Sequence, residues 1–195
     1  FEVQDAASQT VAPFLEVAPG MRVVDACAGA GGKTLHLAAL MQNKGQLIGL
    51  DIYPQKLKEL KKRAKRAKAF NIETRLISDA KVIKRLKNSA DRVLIDAPCT
   101  GLGVLRRNPD SKWKLEPAFL ERVCVTQQEL LQNYSGMLRP EGVLVYATCS
   151  LLPNENSDQV QTFLKSESGA GFRLVEERSM YASVDGFDGF YMARL

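Results

Sequence analysis

The chain has 195 residues, 45% of them hydrophobic and 25% charged, with a net charge of +5; that balance belongs to one globular domain and excludes disordered and low-complexity classes. No apolar run reaches the roughly 18 residues of a membrane helix and no basic-then-apolar leader opens the sequence, so a soluble, cytoplasmic monomer without membrane contact is expected. Four cysteines, Cys27, Cys99, Cys124 and Cys149, stand far apart with no CxxC pair beside a single histidine, His36, which argues against a disulfide framework and against any metal site.

The sequence opens with Phe1 in place of Met, and the expectation is an excised piece of a longer protein, residues 1–195 forming one domain with residues 1–20 as its lead-in. Phe1–Val17 reads as helical or mixed, ended by Pro19-Gly20. Next comes Val23–Thr34, VVDACAGAGGKT, a short apolar strand that ends in an aspartate and breaks into a glycine-rich turn opening a helix. Gly29, Gly31 and Gly32 permit close backbone approach to a ligand, and the helix presents its N-terminus to it. Such turns bind dinucleotides, phosphates or adenosyl cofactors. A dinucleotide GxGxxG from Gly29 needs glycine where Thr34 stands, and a phosphate loop ending in Gly32-Lys33-Thr34 needs glycine where Cys27 stands. Neither template fits.

Strand and helix then alternate. Apolar strand-like runs fall at Arg22–Ala26, Gln46–Asp51, Glu73–Ile77, Arg92–Asp96 and Gly142–Thr148, with helical stretches at Lys33–Gln42, Pro54–Phe70, Ala80–Lys87 and Pro117–Leu138. This order predicts an α/β fold with a parallel sheet covered on both faces. Pro140-Glu141-Gly142 reads as the turn feeding the fifth strand. A further helix fits Asn154–Ser166, and strands at Phe172–Glu176 and Phe190–Leu195, joined through Ser183–Gly189, are expected to pair antiparallel at the sheet's edge. Lys56–Lys68 holds eight Lys and Arg around a single acid, Glu59, and Arg75, Lys81, Lys84, Arg85 and Lys87 follow. Leu57, Leu60, Ala64 and Ala67 recur at helical spacing, so these bases form the outside of an amphipathic helix, one-signed enough to suggest nucleic-acid contact.

Ligands of such sheets bind at the carboxyl ends of the strands. Those ends read Asp25 with the glycine turn, Asp51, Ser78-Asp79, Asp96-Ala97-Pro98-Cys99 and Thr148-Cys149-Ser150. Asp51 has the position of an acid that binds a ribose diol, and Asp79 that of one that meets the base of an adenosine, although either also suits a helix cap. Cys124 and Cys27 read as inert buried thiols. Cys99 and Cys149 differ, because neighbouring strands bring them to one rim. One chemistry uses both: carbon 5 of a pyrimidine becomes nucleophilic once a thiolate adds to carbon 6, and a second thiol or base assists later release.

DACAGAGGKT at Asp25–Thr34, Asp51 followed by Lys56, SDA at Ser78–Ala80, DAPCTG at Asp96–Gly101, TCSLLPNEN at Thr148–Asn156 and DGFYMARL at Asp188–Leu195 together resemble the motif series of the Sun/RsmB/Nop family of RNA 5-methylcytosine methyltransferases. QDAAS at Gln4–Ser8 resembles the segment before that family's catalytic core. The resemblance implies a Rossmann-like S-adenosylmethionine-dependent fold, seven-stranded and mostly parallel with the last strand antiparallel. It implies cofactor contacts from Cys27, Ala28, Gly29, Ala30, Gly31, Gly32, Lys33, Asp51, Lys56, Asp79 and Asp96. It further implies Cys149 as covalent nucleophile, Cys99 as the residue assisting release, and Lys33 and Asp96 as residues orienting the cytosine. RNA, ribosomal before transfer RNA, is the implied partner, recognised through an N-terminal region that this chain lacks. A non-catalytic RNA-binding module on the same fold is the alternative. One departure is visible: the family turn commonly reads APGGK, and Ala30 replaces its proline. Arg106, Arg107, Asn108, Pro109 and Trp113 form a basic loop suited to phosphate contact and stacking, or a surface loop with Trp113 packed inward. Glu155 and Asn156 suit a helix cap or the shaping of the Cys149 loop equally.

Overall fold

The structure, a computed structural model, describes residues 2–195; Phe1, the first residue of the expected lead-in, lies outside the described residues. Helix α1 (Ala6–Phe14) starts where the Asp5 carboxylate accepts from the Ala7 amide at 2.9 Å, and it buries Ala7, Val11 and Phe14. Three strand–helix units and a fourth strand follow: β1 (Arg22–Asp25), α2 (Gly32–Leu40), β2 (Gln46–Asp51), α3 (Pro54–Ala67), β3 (Ile72–Leu76), α4 (Ala80–Lys84) and β4 (Ala90–Asp96). A short α5 (Ser111–Lys114), the long α6 (Pro117–Ser135), β5 (Leu138–Thr148), α7 (Ser157–Leu164), β6 (Glu176–Met180), α8 (Ala182–Asp185) and β7 (Phe190–Arg194) complete the chain.

The seven strands lie in the order β3-β2-β1-β4-β5-β7-β6. Neighbours among β1 to β5 pair in parallel, and β7 runs antiparallel to both β5 and β6. This is the mostly parallel seven-stranded sheet expected, with the antiparallel last strand wedged one place in from the edge. Central strands covered on both faces bury both sets of side chains, as Val23, Val24, Leu47, Ile48, Leu94 and Ile95 do. Val23, Leu47, Leu94, Val145 and Met192 pack under α1 and α2 on one face; Ile48, Val93, Ile95 and Tyr146 pack under α6 and α7 on the other. Helix α3 lies beside α2 and seats Leu57 and Leu60 against Ala28, while Ala67 of the expected inner stripe is exposed.

Three boundaries differ from the sequence reading. Pro140-Glu141-Gly142 lies within β5 rather than before it: the β4–β5 register jumps from Ala90↔Leu138 to Arg92↔Val143, so these residues form a bulge, with Glu141 at φ 63°. The sixth strand is Glu176–Met180 and not Phe172–Glu176. Phe172 and Leu174 are apolar because they pack against the core, Phe172 edge-on to Phe163, whereas the edge strand itself is the polar, outward-facing EERSM. The link from there to β7 also contains one helical turn, α8.

Candidate active site

Register brings the functional ends level. Asp25 stands opposite Gly49 and Leu94, Asp51 opposite Leu76, and Asp96 opposite Ala147. A cleft of about 710 Å³ opens over these ends, lined by Asp25, Cys27, Ala28, Gly29, Ala30, Gly32, Lys33, Asp51, Lys56 and Asp96 among others. Most residues expected at the cofactor thus share one cavity.

Two expected residues do not line it. Gly31 sits at φ 93° as the N-cap of α2, and a Cβ there would stand 2.2 Å from Leu60 Cδ1, so its glycine serves the packing of α3 on the turn. Asp79 is exposed and caps α4, accepting from the Lys81 amide at 2.7 Å. Ile77, two residues earlier, faces the cleft in its place.

Asp51 accepts the Gly29 amide on one oxygen at 2.9 Å and the Tyr53 amide on the other at 2.8 Å. Each oxygen keeps a lone pair for a vicinal diol. Asp25, at the floor, accepts from Thr34 Oγ1 at 2.7 Å through Oδ2, while its buried Oδ1 has no partner among the described residues. Burial pushes this carboxyl up to about 7, opposed by the Thr34 hydrogen bond. Burial also pushes the Cys27 thiol well up, with Asp25 and Asp96 adding to it, which fits an inert role. An adenosyl cofactor carries a ribose diol, cationic donors and a flat base. Asp51, the unpartnered Asp25 oxygen, the open space beside Gly29 and the apolar walls from Ile52, Ile77 and Leu130 suit those groups in turn.

Arg63 of α3 closes one wall, donating to the Ala30 carbonyl at 2.8 Å and to Glu2 at 2.8 Å, and Arg66 pairs with the same Glu2. The turn that lacks the family's proline is therefore braced from outside.

On the far side of the cleft, Lys33 Nζ bonds Asp96 Oδ2 at 2.7 Å and lies 5.0 Å from the centre of the Phe190 ring. Beyond it the Cys99 and Cys149 sulfurs are 3.3 Å apart. A hydrogen bond from Cys99 lowers the Cys149 thiol, aided by Lys33 and opposed by burial and Asp96, while the same contact and burial raise Cys99. The pair thus favours a thiolate on Cys149 and a proton on Cys99.

Glu155 holds the two cysteine loops together. It is 0% exposed and accepts from the Thr100 amide at 2.8 Å, Thr100 Oγ1 at 2.6 Å, Gln127 Nε2 at 3.2 Å and Ser150 Oγ. Asn156 stands at the N-cap position of α7 but makes no cap bond; its side chain instead accepts from Thr148 Oγ1 at 2.5 Å and donates to the Ser150 carbonyl at 3.0 Å. Both residues shape the Cys149 loop. Gln127, which also donates to the Pro98 carbonyl at 2.9 Å, escaped the sequence reading. Its signal was a lone amide in the otherwise apolar stripe Val123, Leu131, Tyr134 of α6. A third loop joins here: the Gly189 amide donates to the Gly103 carbonyl at 2.8 Å, and the Gly103 amide to the Cys149 carbonyl at 2.9 Å. A Cβ on Gly103 would fall 2.1 Å from the Gly189 oxygen, so only glycine allows this approach.

Arg107 lines the cleft and bonds the buried Asp188 at 2.6 Å, and Arg106 donates to the Gly186 carbonyl at 3.1 Å. Trp113 is 80% exposed, with Lys112 over its ring, so the inward-packed alternative fails. Cys124 is half-buried, donates to the Asn154 carbonyl and is pushed up by burial, in keeping with an inert thiol. Among the described residues no helix is long and apolar enough to cross a membrane, and no group of three ligand-type side chains is arranged to hold a metal.

The sequence model of the family described as 16S rRNA methyltransferase RsmB/F matches residues 12–195. Ribosomal RNA small subunit methyltransferase B of Pseudomonas syringae is 36% identical over 99% of this chain and 46% of its own length. The probable ribosomal RNA small subunit methyltransferase B of Synechocystis is 39% identical over 84% of this chain and 37% of its own. The chain spans less than half the length of these curated relatives. Among solved structures, NSun6 from Pyrococcus horikoshii with SFG, an S-adenosylmethionine analogue, superposes with a TM-score of 0.87 at 29% identity, over 98% of this chain and 51% of that one. A methyltransferase homologue from the same organism gives 0.82 at 28% identity, over 99% and 67%. A family match over nearly the whole chain, relatives above 30% identity and a shared Rossmann-like fold agree: this chain belongs to the RsmB/F family of S-adenosylmethionine-dependent methyltransferases.

Proposed function

We propose that this chain is the catalytic part of an RNA methyltransferase acting at carbon 5 of a cytosine, in ribosomal RNA and in the cytoplasm, through a covalent adduct with Cys149. The observation that carries the reading is the 3.3 Å contact between Cys99 and Cys149 beside the Lys33–Asp96 pair at the edge of the cleft. Amino-group methylation needs no thiol, and two thiols in contact at the rim are otherwise unexplained.

On this reading Cys149 adds as a thiolate to carbon 6, forming the sulfur–carbon bond while the ring's double-bond electrons move onto carbon 5. Asp51, the backbone of Gly29, Ala30 and Gly32, and Asp25 would hold S-adenosylmethionine, whose sulfonium would supply the methyl group to carbon 5 and leave as a neutral thioether. Lys33 and Asp96 orient the cytosine and draw charge from its ring. A base then removes the carbon-5 proton, the double bond reforms, and the sulfur–carbon bond breaks to return the thiolate to Cys149. We assign Cys99 to assisting that release. Glu155, Asn156 and Gln127 act through the loops they hold, as positioning residues.

Methyl transfer to ribosomal and transfer RNA, read by bisulfite sequencing, tests the assignment. Cys149→Ala is expected to abolish it, and Cys99→Ala to accumulate an RNA–protein adduct that survives denaturation. Full activity of Cys149→Ala would overturn the mechanism; transfer confined to tRNA would move the substrate.

A further inference from the structure

Helix α3 divides lengthwise. Arg63 and Arg66 turn to Glu2 and the glycine turn, and Lys56 stands at the cleft, 4.6 Å from the Tyr53 ring centre. Lys58, Lys61 and Lys65 recur at intervals of three and four residues, so they form one stripe, which Lys68 extends at the C-cap. The buried Leu57, Leu60 and Ala64 separate this stripe from Arg63, which places it on the flank away from α2, toward the edge strand β3. All four lysines are exposed, and none has an ion-pair partner among the described residues. From the other face of the sheet, α4 and the turn after it bring Lys81, Lys84, Arg85 and Lys87 to the same end of the molecule, also exposed.

The asymmetry is large. Residues 54–88 hold thirteen Lys and Arg against three acids, leaving fourteen against nineteen elsewhere, so the net +5 conceals a strongly positive end on an otherwise negative protein. The opposite edge, β6, opens with Glu176-Glu177, and its Arg178 is already paired with Glu176. Lysines are compact point charges on flexible stems, suited to phosphates and poor at reading bases. Strand β3 lies three strand spacings from β4, about 14 Å, with the cleft between them.

We propose that RNA whose target base sits at the cysteines runs across the mouth of the cleft toward β3, its phosphates resting on Lys58, Lys61 and Lys65. This inference rests on the RNA methyltransferase reading and adds to it a direction of approach: the strand leaves toward α3 and away from β6.

Two double variants of equal charge test it: Lys61→Glu/Lys65→Glu on the stripe and Lys165→Glu/Arg173→Glu at the opposite end. Binding of a short cytosine-containing single-stranded RNA is measured across a salt series, with binding of an S-adenosylmethionine analogue by calorimetry as the check that each variant is folded. The stripe variant is expected to bind RNA roughly tenfold more weakly and to flatten the log–log salt slope by about 1.4, the share of two phosphate contacts on a single strand. The control is expected to leave both nearly unchanged, and the milder Lys61→Gln/Lys65→Gln reports the same loss in smaller measure should the charge reversal fail the folding check. Equal losses in stripe and control variants, or none in either, would overturn the direction of approach while leaving the methyltransferase reading intact. Wild-type protein that binds the analogue but no RNA would instead overturn that reading. Stripe variants that keep RNA binding yet lose capture of an acidic protein would assign the stripe to that protein and refute the proposal.

Discussion

The two halves of the rim are built by opposite means. Around the glycine turn the structure offers backbone: amides of Gly29 and Tyr53 on Asp51, a left-handed Gly31 and an open cleft walled by side chains that touch it from outside. Around the cysteines it offers a sealed side-chain clamp, with Glu155, Gln127, Thr100 and Ser150 bonded to one another out of water. Each fits its task. An open cleft suits a ligand that enters and leaves, whereas the bonded clamp fixes the two loops that hold the Cys99 and Cys149 sulfurs 3.3 Å apart.

If the halves are separately built, damage to one should spare the other. The largest effect is expected from Glu155→Ala, which strands the Thr100 amide and three further donors in a buried site. A loss of about 3–5 kcal/mol in denaturant unfolding is expected, together with a loss of methyl transfer. Affinity for an S-adenosylmethionine analogue, measured where the protein is folded, should stay within about twofold. A large drop in that affinity would break the separation.

Next is a pH effect beneath the glycine turn. Asp25 is pushed up to about 7 from the ordinary 3.8, so between these values the folded protein holds a proton that the unfolded chain has lost. Stability contributed at this site therefore falls as pH rises through that window and levels off above it. Asp25→Asn removes the slope; relative to the variant, wild type should lose up to about 4 kcal/mol between pH 4 and pH 7. Parallel stability curves would show that burial does not hold this proton.

Asp51→Asn is the mirror of the clamp variant. An amide cannot accept both backbone N–H groups, so analogue affinity should fall about tenfold to a hundredfold. The rate at which iodoacetamide alkylates Cys149 should not change, since Asp51 touches neither cysteine loop. The smallest effect is expected from Ala30→Pro. Arg63 already holds the Ala30 carbonyl, and pre-setting one dihedral adds no more than about 1 kcal/mol of stability. In an Arg63→Ala background the same proline should recover a larger share of lost cofactor affinity, which tests whether brace and proline do the same job.

This contrast also decides what could be read from the chain. Glycines, strand-end aspartates and the DAPC and TCS cysteines are local signals at fixed spacing, so the cradle and the sulfur pair were legible before any coordinates. The clamp was not. Glu155 and Asn156 have the residue types of a cap, and only the three-dimensional meeting of the Thr100 and Ser150 loops gives them another task. Gln127 comes from a distant helix. Asp79 was read by its place in the strand order, and its carboxylate turns instead to the Lys81 amide. The edge strand EERSM carries no apolar alternation because Glu177, Arg178 and Ser179 are exposed on both of its faces, so the periodicity that marks a half-buried strand was absent there.

Strand β7, seated between β5 and β6, has a bearing on how the protein is made. It follows every other strand in chain order, so β5, with its run of buried apolar residues, remains an unpaired edge on the nascent polypeptide until residues 190–194 have been synthesised. The same late stretch brings Gly189 onto Gly103 and Phe190 beside Lys33, at the cysteine loops. Completion of the sheet and closure of the cysteine loops are therefore one event, and a chain cut short of it leaves β5 as an exposed strand edge.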